Sequence, residues 1–207
     1  MKVSRTLLET ICNYKHAASK DETSLYLNTV ALRRQGGGME LTSCDGYVAV
    51  KSLHQCGDLT IPDDNVYYLI RTDDSSIQKI ELLLKEYKNM PSFNIILDPR
   101  YISILREDIV LISIELLDRE YPNSLDNLFP DKTCPTESII FNVDFMTAIR
   151  KAIYGSRKGT TRPKFTVKLN GNLKPMSITA KNNGIDHTAL LVPLKGETKV
   201  NQHPRHT

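Results

Sequence analysis

The chain has 207 residues, of which 40% are hydrophobic and 25% are charged, and its formal net charge is +3. These values favour an ordinary globular protein with one or two domains, and they are at most weak support for a nucleic-acid partner. The longest apolar runs, such as residues 109–112, are too short to cross a bilayer, and the N-terminus has no apolar segment typical of a secretory signal. We therefore expect a cytoplasmic protein with no membrane partner.

Three segments show the 3.6-residue period of amphipathic helices. The predicted helices span residues 4–18, 75–87 and 143–153. Capping-box patterns at residues 6–9 and 75–78 predict the starts of the first two helices, and Asn142 is the predicted N-cap of the third.

Each predicted helix is followed by three strand patterns and is preceded by one shorter strand pattern. The predicted strands span residues 1–3, 25–34, 39–43, 47–52, 66–71, 93–97, 101–105, 109–116, 138–141, 164–169, 176–180 and 188–192. Asp45 and Gly46 lie between two of them, and this pair is typical of a tight hairpin turn that requires positive φ. Residues 36–38, which are all glycine, predict a flexible hairpin loop.

The order of these elements recurs along the chain. The three helices start 71 and 68 residues apart, and each has the same neighbours in the same order. This spacing predicts an internal repeat of a strand–helix–three-strand unit. One helix covers only part of such a sheet, so the units should pair side by side through their sheet edges. The alternative is a single α+β domain in which the spacing is coincidental.

The residue types that carry catalysis or bind metals form no recognisable pattern. Cys12, Cys44, Cys56 and Cys134 contain no C-x-x-C pair and match no zinc spacing, so reduced thiols are expected. The five histidines are scattered, and no P-loop, G-x-G-x-x-G or nucleophile-elbow motif is present. We expect no metal, no cofactor and no enzymatic activity.

Basic residues are concentrated on the predicted helices and in the loop after the third helix. In that loop no acidic residue accompanies them. Such side chains could contact DNA phosphates without reading the sequence. The alternative is a solvated helix face with lysines near helix C-termini, where the helix dipole favours them. The candidate DNA-binding residues are Arg5, Lys15, Lys20, Lys79, Arg150, Lys151, Arg157, Lys158 and Arg162.

Five segments, in order and spread over nearly the whole chain, resemble the bacterial DNA polymerase III beta subunit, the DNA sliding clamp. They are residues 19–32 (SKDETSLYLNTVAL), 42–50 (TSCDGYVAV), 119–131 (REYPNSLDNLFPD), 141–152 (FNVDFMTAIRKA) and 169–195 (LNGNLKPMSI to HTALLVPLK). The resemblance implies an α+β fold of the DNA-clamp type, built here from about three half-domains. We expect a shortened member of the family, encoded by a phage or mobile element.

The resemblance also implies a division of the chain. Residues 1–120 resemble the family's middle domain, with two halves, and residues 121–135 its connector. Residues 136–195 resemble the second half of the last domain, and residues 196–207 form a polar tail. The parts that close the dimeric ring in the family have no counterpart, so ring closure by the usual contact is not expected.

In the family, the hairpin, the connector and the last strand line a pocket for a short apolar peptide motif. The matching positions here are Cys44, Gly46, Tyr47, Val48, Ala49, Pro122, Asn127, Met176, Val192, Pro193, Leu194 and Lys195. Tyr47 replaces the family's histidine, Val48 its arginine and Asn127 an apolar residue, so a somewhat different motif is expected. The alternative is that Val192 and Leu194 are simply core strand residues.

The resemblance implies a processivity factor that holds a DNA polymerase on duplex DNA, with a clamp loader as a further partner. Self-association to a dimer or tetramer is expected, because the third half would leave a sheet edge open unless two chains join third half to third half. Four chains would supply the twelve halves of a complete ring. The rival function is a clamp mimic that never encircles DNA and serves as an adaptor or decoy for host replication proteins.

Overall fold

A computed structural model of the chain describes residues 1–21, 23–56, 66–122, 129, 141–155, 163–171 and 174–194. Within these residues the fold contains three α-helices and eleven strands, arranged in two antiparallel sheets, which confirms the predicted α+β class. The helices are α1 (Arg5–Tyr14), α2 (Asp74–Glu86) and α3 (Val143–Tyr154), and the strands are β1 (Lys2–Ser4), β2 (Thr29–Gln35), β3 (Gly38–Cys44), β4 (Val48–Gln55), β5 (Tyr67–Arg71), β6 (Ser92–Leu97), β7 (Tyr101–Arg106), β8 (Ile109–Glu115), β9 (Thr166–Lys168), β10 (Met176–Asn182) and β11 (Ile185–Leu191).

The helix starts are set by side-chain caps, two of which differ from the prediction. The hydroxyl of Ser4 accepts the N–H of Leu7, and the carboxylate of Asp73 accepts the N–H of Ser76. The predicted capping boxes at 6–9 and 75–78 were therefore wrong, because a cap with extended backbone precedes each of them. Asn142 caps α3 as predicted. Helix α1 ends at Tyr14, and a 3₁₀ turn (Lys15–Ala17) replaces its predicted last turn.

Some strands also begin at residues that differ from the prediction. Strand β2 begins at Thr29, because the backbone N–H groups of Leu27 and Asn28 bond to the carbonyl of Ser24 and form turns there. Strand β11 begins at Ile185, three residues before the prediction, because Asn183 and Gly184 adopt positive φ and make a tight hairpin with β10. The predicted strand at 138–141 lies outside the described residues except for Phe141, which is not in a strand.

The first two units are joined by exchange of their first strands. Strand β1 of the first unit pairs with β6 of the second, with Val3 opposite Phe93. Strand β5 of the second unit pairs with β2 of the first, with Val30 opposite Ile70. This reciprocal exchange makes one body of two similar halves.

The third unit joins the first through their last strands. Strands β4 and β11 pair antiparallel, with Val48 opposite Leu191 and Ser52 opposite His187. The result, within the described residues, is a seven-stranded sheet in the order β5-β2-β3-β4-β11-β10-β9, beside a four-stranded sheet in the order β1-β6-β7-β8. The predicted edge-to-edge pairing of units is confirmed at this joint, which we call the β4–β11 joint.

The main core lies between the helices and the two sheets, and all three helices contribute buried residues to it. Helix α1 is central because it contacts both α2 and α3. The fully buried side chains include Leu7, Ile11 and Tyr14 of α1, with Ile80 of α2 and Ile149 of α3. No helix among the described residues is long and apolar enough to cross a membrane.

Candidate functional site

The helices form a shared surface with a broad cavity of about 940 Å³ between them. Helices α1 and α2 supply most of its walls. The rest comes from the end of α3 and the β10–β11 hairpin, namely Tyr154, Gly155, Asn182, Asn183 and His187. Its charged and histidine lining comprises Arg5, Glu9, Lys15, His16, Glu81, Lys85, Lys88 and His187. The cavity is therefore mixed in charge, with more cationic than anionic side chains. We refer to it as the helix-face cavity.

Arg5 is engaged in holding the helices together. Its guanidinium donates to the carbonyls of Leu84 and Tyr87 at the C-terminal end of α2, at 2.7 and 2.8 Å, and to the carboxylate of Glu9 at 2.9 Å. The last carbonyls of a helix have no partner within the helix, and a cation there is favoured by the helix dipole. Arg5 thus joins α1 to α2, and its contact with DNA stays a prediction.

Lys15 and His16 also face α2. The ammonium group of Lys15 lies 2.6 Å from the carboxylate of Glu81. Burial and the neighbouring charges of Lys15 and Lys151 lower the pKa of His16, so its imidazole is neutral at neutral pH. At that pH the positive charge beside Glu81 comes from Lys15 rather than from His16.

The other candidate DNA-binding residues differ in exposure. Lys20 and Lys79 are exposed, whereas Arg150 and Lys151 on α3 are half-buried. Arg157, Lys158 and Arg162 lie outside the described residues. The structure adds Lys85 and Lys88, which line the helix-face cavity and were not among the predicted contacts. Lys85 lies in the last turn of α2 and Lys88 lies two residues after the helix ends. A pair of lysines at the C-terminal end of a predicted helix is the signal that would have found them.

A second, smaller apolar cluster contains residues of β2, β3, β4, β5 and β11 together with the chain that follows β8. Along β4 and β11 its members Ala49 and Leu190 alternate with the main-core residues Val48, Val50, Ala189 and Leu191. Alternate residues of a strand point to opposite faces, so this cluster lies on the side of the sheet away from the helices. Its buried members are Ala31, Cys44, Ala49, Leu69, Tyr121 and Leu190. We call it the outer cluster.

The chain that follows β8 lies against the outer face of the sheet. The N–H of Leu117 donates to the carbonyl of Leu69 on β5 at 2.9 Å, and the ring of Tyr121 packs on Tyr67 with centroids 5.1 Å apart. The ring of Phe129 lies under the ammonium group of Lys51, 4.1 Å from the centroid. Aromatic side chains of the connector thus attach it to strands of the first and second units.

The structure divides the predicted pocket residues between the two faces of the sheet. Cys44 and Ala49 belong to the outer cluster, with Pro122 half-buried directly after Tyr121. Val48 and Met176 are buried in the main core and therefore face the helices instead. Asn127 and Lys195 lie outside the described residues. The sequence did not single out Tyr121, Phe129 and Leu190, although aromatic residues in a predicted connector are a usable signal for a buried anchor.

The hairpin turn and the end of the last strand meet directly. One carboxylate oxygen of Asp45 accepts the N–H groups of Tyr47 and Val48, and Gly46 has φ of +96°, as the predicted tight turn requires. The carbonyl of Tyr47 accepts the N–H of Val192 at 3.0 Å. The exposed ring of Tyr47 stacks on Phe145 of α3, with centroids 5.6 Å apart.

The three described residues after β11 differ in exposure. Val192 is half-buried, Pro193 is buried and Leu194 is exposed. Gly46, Tyr47, Val192, Pro193 and Leu194 therefore lie together at one end of the β4–β11 joint. Of these, Tyr47 and Leu194 present the largest apolar surface to a ligand.

The described thiols are not activated as nucleophiles. Cys12, Cys44 and Cys56 are free, and burial raises the pKa of Cys44 to about 11 and that of Cys12 to about 12, so both stay protonated thiols. In the part of the chain that the structure describes, no group of three or more His, Cys, Asp or Glu residues is placed to hold a metal ion. Cys134 lies outside that part.

The chain matches no protein-family model and no curated protein. It is similar to solved structures of bacterial sliding clamps. The DNA polymerase sliding clamp from Bacillus subtilis superposes with a TM-score of 0.64 at 17% identity. The DNA polymerase III beta subunit from Thermotoga maritima and the sliding clamp from Pseudomonas aeruginosa each give a TM-score of 0.71 at 15% identity.

These superpositions define the fold as that of the DNA sliding clamps. More specifically, it is the fold of the DNA polymerase III beta subunit, as the resemblance in the sequence implied. The superpositions cover 95% of this chain, which in turn spans 64–66% of the length of those clamps. The prediction that the chain is not an enzyme is consistent with these neighbours, which are named as clamps.

Proposed function

We propose that this chain is a non-enzymatic clamp-like processivity factor that tethers a DNA polymerase to duplex DNA. The observation that carries the proposal is the row of three helices on one side of two sheets, in the fold of the sliding clamps. In this arrangement the helices would face the DNA, and the outer faces of the sheets would carry the partner proteins.

The helix face is suited to weak, sequence-independent contact with DNA. The exposed Lys20 and Lys79 can each approach a phosphate, and Lys85 and Lys88 add positive charge at the C-terminal end of α2. Glu9, Glu81 and Glu86 on the same helices reduce the net attraction. Such contacts allow a protein to slide, because they neutralise phosphates without recognising base edges.

The end of the β4–β11 joint is the proposed site for the polymerase. Tyr47 and Leu194 provide exposed apolar surface there. Pro122 of the connector comes directly after Tyr121, which is a member of the outer cluster. A short peptide with large apolar residues would bury this surface, which is the usual form of an anchored peptide contact. A clamp loader would use the same surface. Asn127 and Lys195 stay proposed members of the pocket.

We also propose that the chain works as a homo-oligomer, a dimer or a tetramer. Strand β9 has a neighbour on one side only within the described residues, and the equivalent strands β2 and β6 each receive the first strand of another unit. Exchange of such strands between two third units would fill the position beside β9. The divisions at 120 and 135 and the phage origin stay predictions from the sequence.

Retention on circular DNA is the test. The full chain is loaded on a nicked plasmid, with and without a clamp loader, and the complex is separated from free protein by gel filtration. The same plasmid is then linearised. The proposed function predicts retention on the circle and loss from the linear form, because a ring can slide off an end.

Two other outcomes contradict the proposal. Equal retention on circular and linear DNA would indicate ordinary phosphate binding without encirclement. Binding of a polymerase or of an apolar peptide with no retention on either DNA would favour the adaptor or decoy function.

A further inference from the structure

We propose that β8 and the adjoining face of α2 form an interface with a second copy of this chain, in which the two β8 strands pair antiparallel. The inference does not depend on DNA binding, and it concerns a different sheet edge from β9. It follows from the way in which the chain already uses the equivalent strands of its other two units.

Strand β8 is the longest free edge among the described residues. It has seven residues and is paired on one side only, with β7. The other edge strands are less available, since β1 and β9 have three residues each and β5 receives the N–H of Leu117. At the start of β8, Ile109 is 67% exposed and Val110 is 54% exposed. Natural proteins usually protect an edge strand with charges, so an exposed apolar edge indicates a partner.

The β4–β11 joint shows what a last strand does in this fold. Strands β4, β8 and β11 are each the last strand of a unit, and two of the three already pair with each other antiparallel and edge to edge. An antiparallel pair is compatible with a twofold axis, so two β8 strands can meet through the same surface in both copies. A second copy of this chain is therefore a partner whose chemistry and geometry fit.

Helix α2 carries a second and independent sign of this interface. At the β4–β11 joint, α1 packs against α3, and Asn13 approaches Gly155 so closely that a Cβ on Gly155 would lie 3.1 Å from the Asn13 side-chain oxygen. Asn13 is nine residues after the N-cap Ser4, and Leu82 is nine residues after the N-cap Asp73. Leu82 thus occupies on α2 the position that makes the helix contact on α1, and it is 56% exposed.

The burial of the strand limits the register of the pairing. Ile112 and Ile114 pack on the main core, whereas Ser113 points to the opposite face, where its hydroxyl lies 2.8 Å from that of Ser103 on β7. A shift by one residue would place inward-facing residues opposite outward-facing ones. The β7–β8 pair shifts register between Ile104 and Leu105, so β8 is regular only from Ile112 onward. Within this regular part, inward-facing residues meet when Ile112 lies opposite Ile114 of the second copy, and the two Ser113 residues are then directly opposite each other.

The first experiment measures mass by light scattering after gel filtration over a concentration series. Val110→Lys is compared with Ile96→Lys, because Ile96 is also 54% exposed but lies on β6, an interior strand of the same sheet. We expect Val110→Lys to weaken association through β8, with a dissociation constant at least tenfold higher than that of the parent chain. Its mass should therefore be lower than that of the parent chain at concentrations where the parent chain associates. Ile96→Lys should leave the mass of the parent chain unchanged.

The second experiment uses a short bismaleimide cross-linker on Ser113→Cys and on Ser103→Cys, with the parent chain as the background for native thiols. In this register the two Ser113 side chains lie within about 8 Å of each other, whereas two Ser103 side chains, one strand further back in each copy, are about 14 Å apart. We expect a covalent dimer from Ser113→Cys only.

Three results would overturn this inference: a parent chain that stays monomeric at all concentrations, equal effects of the two lysine substitutions, or equal cross-linking of the two cysteine variants. The outcome can be separated from that of the proposed function. If Val110→Lys keeps its mass and is retained on circular DNA, the β8 interface fails while the clamp function stands.

Discussion

The hydroxyl of Tyr14 on α1 lies 3.1 Å from Nδ1 of His187 on β11, in the buried space where the first and third units meet. His187 lies opposite Ser52 across the β4–β11 joint, and the Ser52 hydroxyl lies 3.1 Å from Nε2 of His54. Two buried histidines and their hydroxyl partners thus form a polar group within the joint. We therefore expect the attachment of the third unit to be sensitive to pH and to the loss of one hydroxyl.

We expect the protein to lose stability as the pH falls from neutral. Burial lowers the pKa of both His54 and His187 to about 4; the charge of His187 lowers the pKa of His54 further, whereas Asp186 opposes part of the effect of burial on His187. The unfolded chain takes up protons near pH 6.5, before the folded protein does. The stability that depends on the neutral imidazoles is complete above about pH 6.5 and is lost as the pH falls towards 4, by about 1.4 kcal/mol per pH unit for each histidine.

Urea unfolding at a series of pH values measures this slope. His187→Gln should reduce the slope by the contribution of one histidine, whereas His16, whose pKa is lowered less, adds a smaller effect in the same direction. An unfolding free energy that is constant from about pH 7 to about pH 5 would contradict the prediction.

Tyr14→Phe should destabilise the fold by about 1–3 kcal/mol, because it leaves a buried imidazole nitrogen of His187 without its partner. Tyr101→Phe is the matched control, since Tyr101 is partly exposed on β7 and its change should stay within about 0.5 kcal/mol. Denaturant unfolding of the two variants beside the parent chain provides the comparison. Equal effects would mean that the Tyr14 hydroxyl contributes nothing to the joint.

Asp73→Ala should cost about 1 kcal/mol of folding free energy, because the carboxylate caps α2 by accepting the N–H of Ser76. Ser75→Ala tests the capping box that the sequence predicted and should change stability by less than about 0.5 kcal/mol. Thermal or urea unfolding distinguishes the two positions. A larger loss of folding free energy for Ser75→Ala than for Asp73→Ala would instead support the capping box at residues 75–78.

Lys79→Glu should weaken binding to a labelled duplex and make it less dependent on salt. The plot of log K against log salt should become shallower by about 0.9 for each phosphate contact that is lost. Lys2→Glu is the control with the same change of charge, because Lys2 is exposed on β1 and points away from the core that its neighbour Val3 joins. Fluorescence anisotropy at several salt concentrations measures both slopes, and identical slopes would remove α2 from the DNA interface.

Leu194→Ser should weaken the binding of short peptides that carry consecutive large apolar residues by about tenfold or more, as expected for a central apolar anchor. Leu53→Ser is the control, since Leu53 is 42% exposed and Leu194 is 44% exposed, but Leu53 lies towards the opposite end of β4. Anisotropy titrations with labelled peptides and scrambled versions of them provide the measurement. A peptide that binds both variants as tightly as the parent chain uses some other surface.

Much of the local structure followed from the sequence alone. Hydrophobic periodicity placed three helices and most strands, because burial of one face repeats at a fixed interval in each type of element. Asn142 was identified as a cap and Asp45-Gly46 as a turn, because both depend on a residue's own backbone preferences and on bonds to neighbours two or three positions away. The resemblance then supplied the clamp fold, which the superpositions confirm.

Tertiary structure decided which distant residues became neighbours. The pairing of Val3 with Phe93, the bonds from Arg5 to the carbonyls of Leu84 and Tyr87, and the packing of Tyr121 in the outer cluster all join parts of the chain that are far apart in sequence. A local pattern shows which face of an element is apolar, but not which other element covers it. That choice depends on how well all the faces pack together at once, and it determined that Arg5 holds a helix end and that Val48 and Met176 face the core.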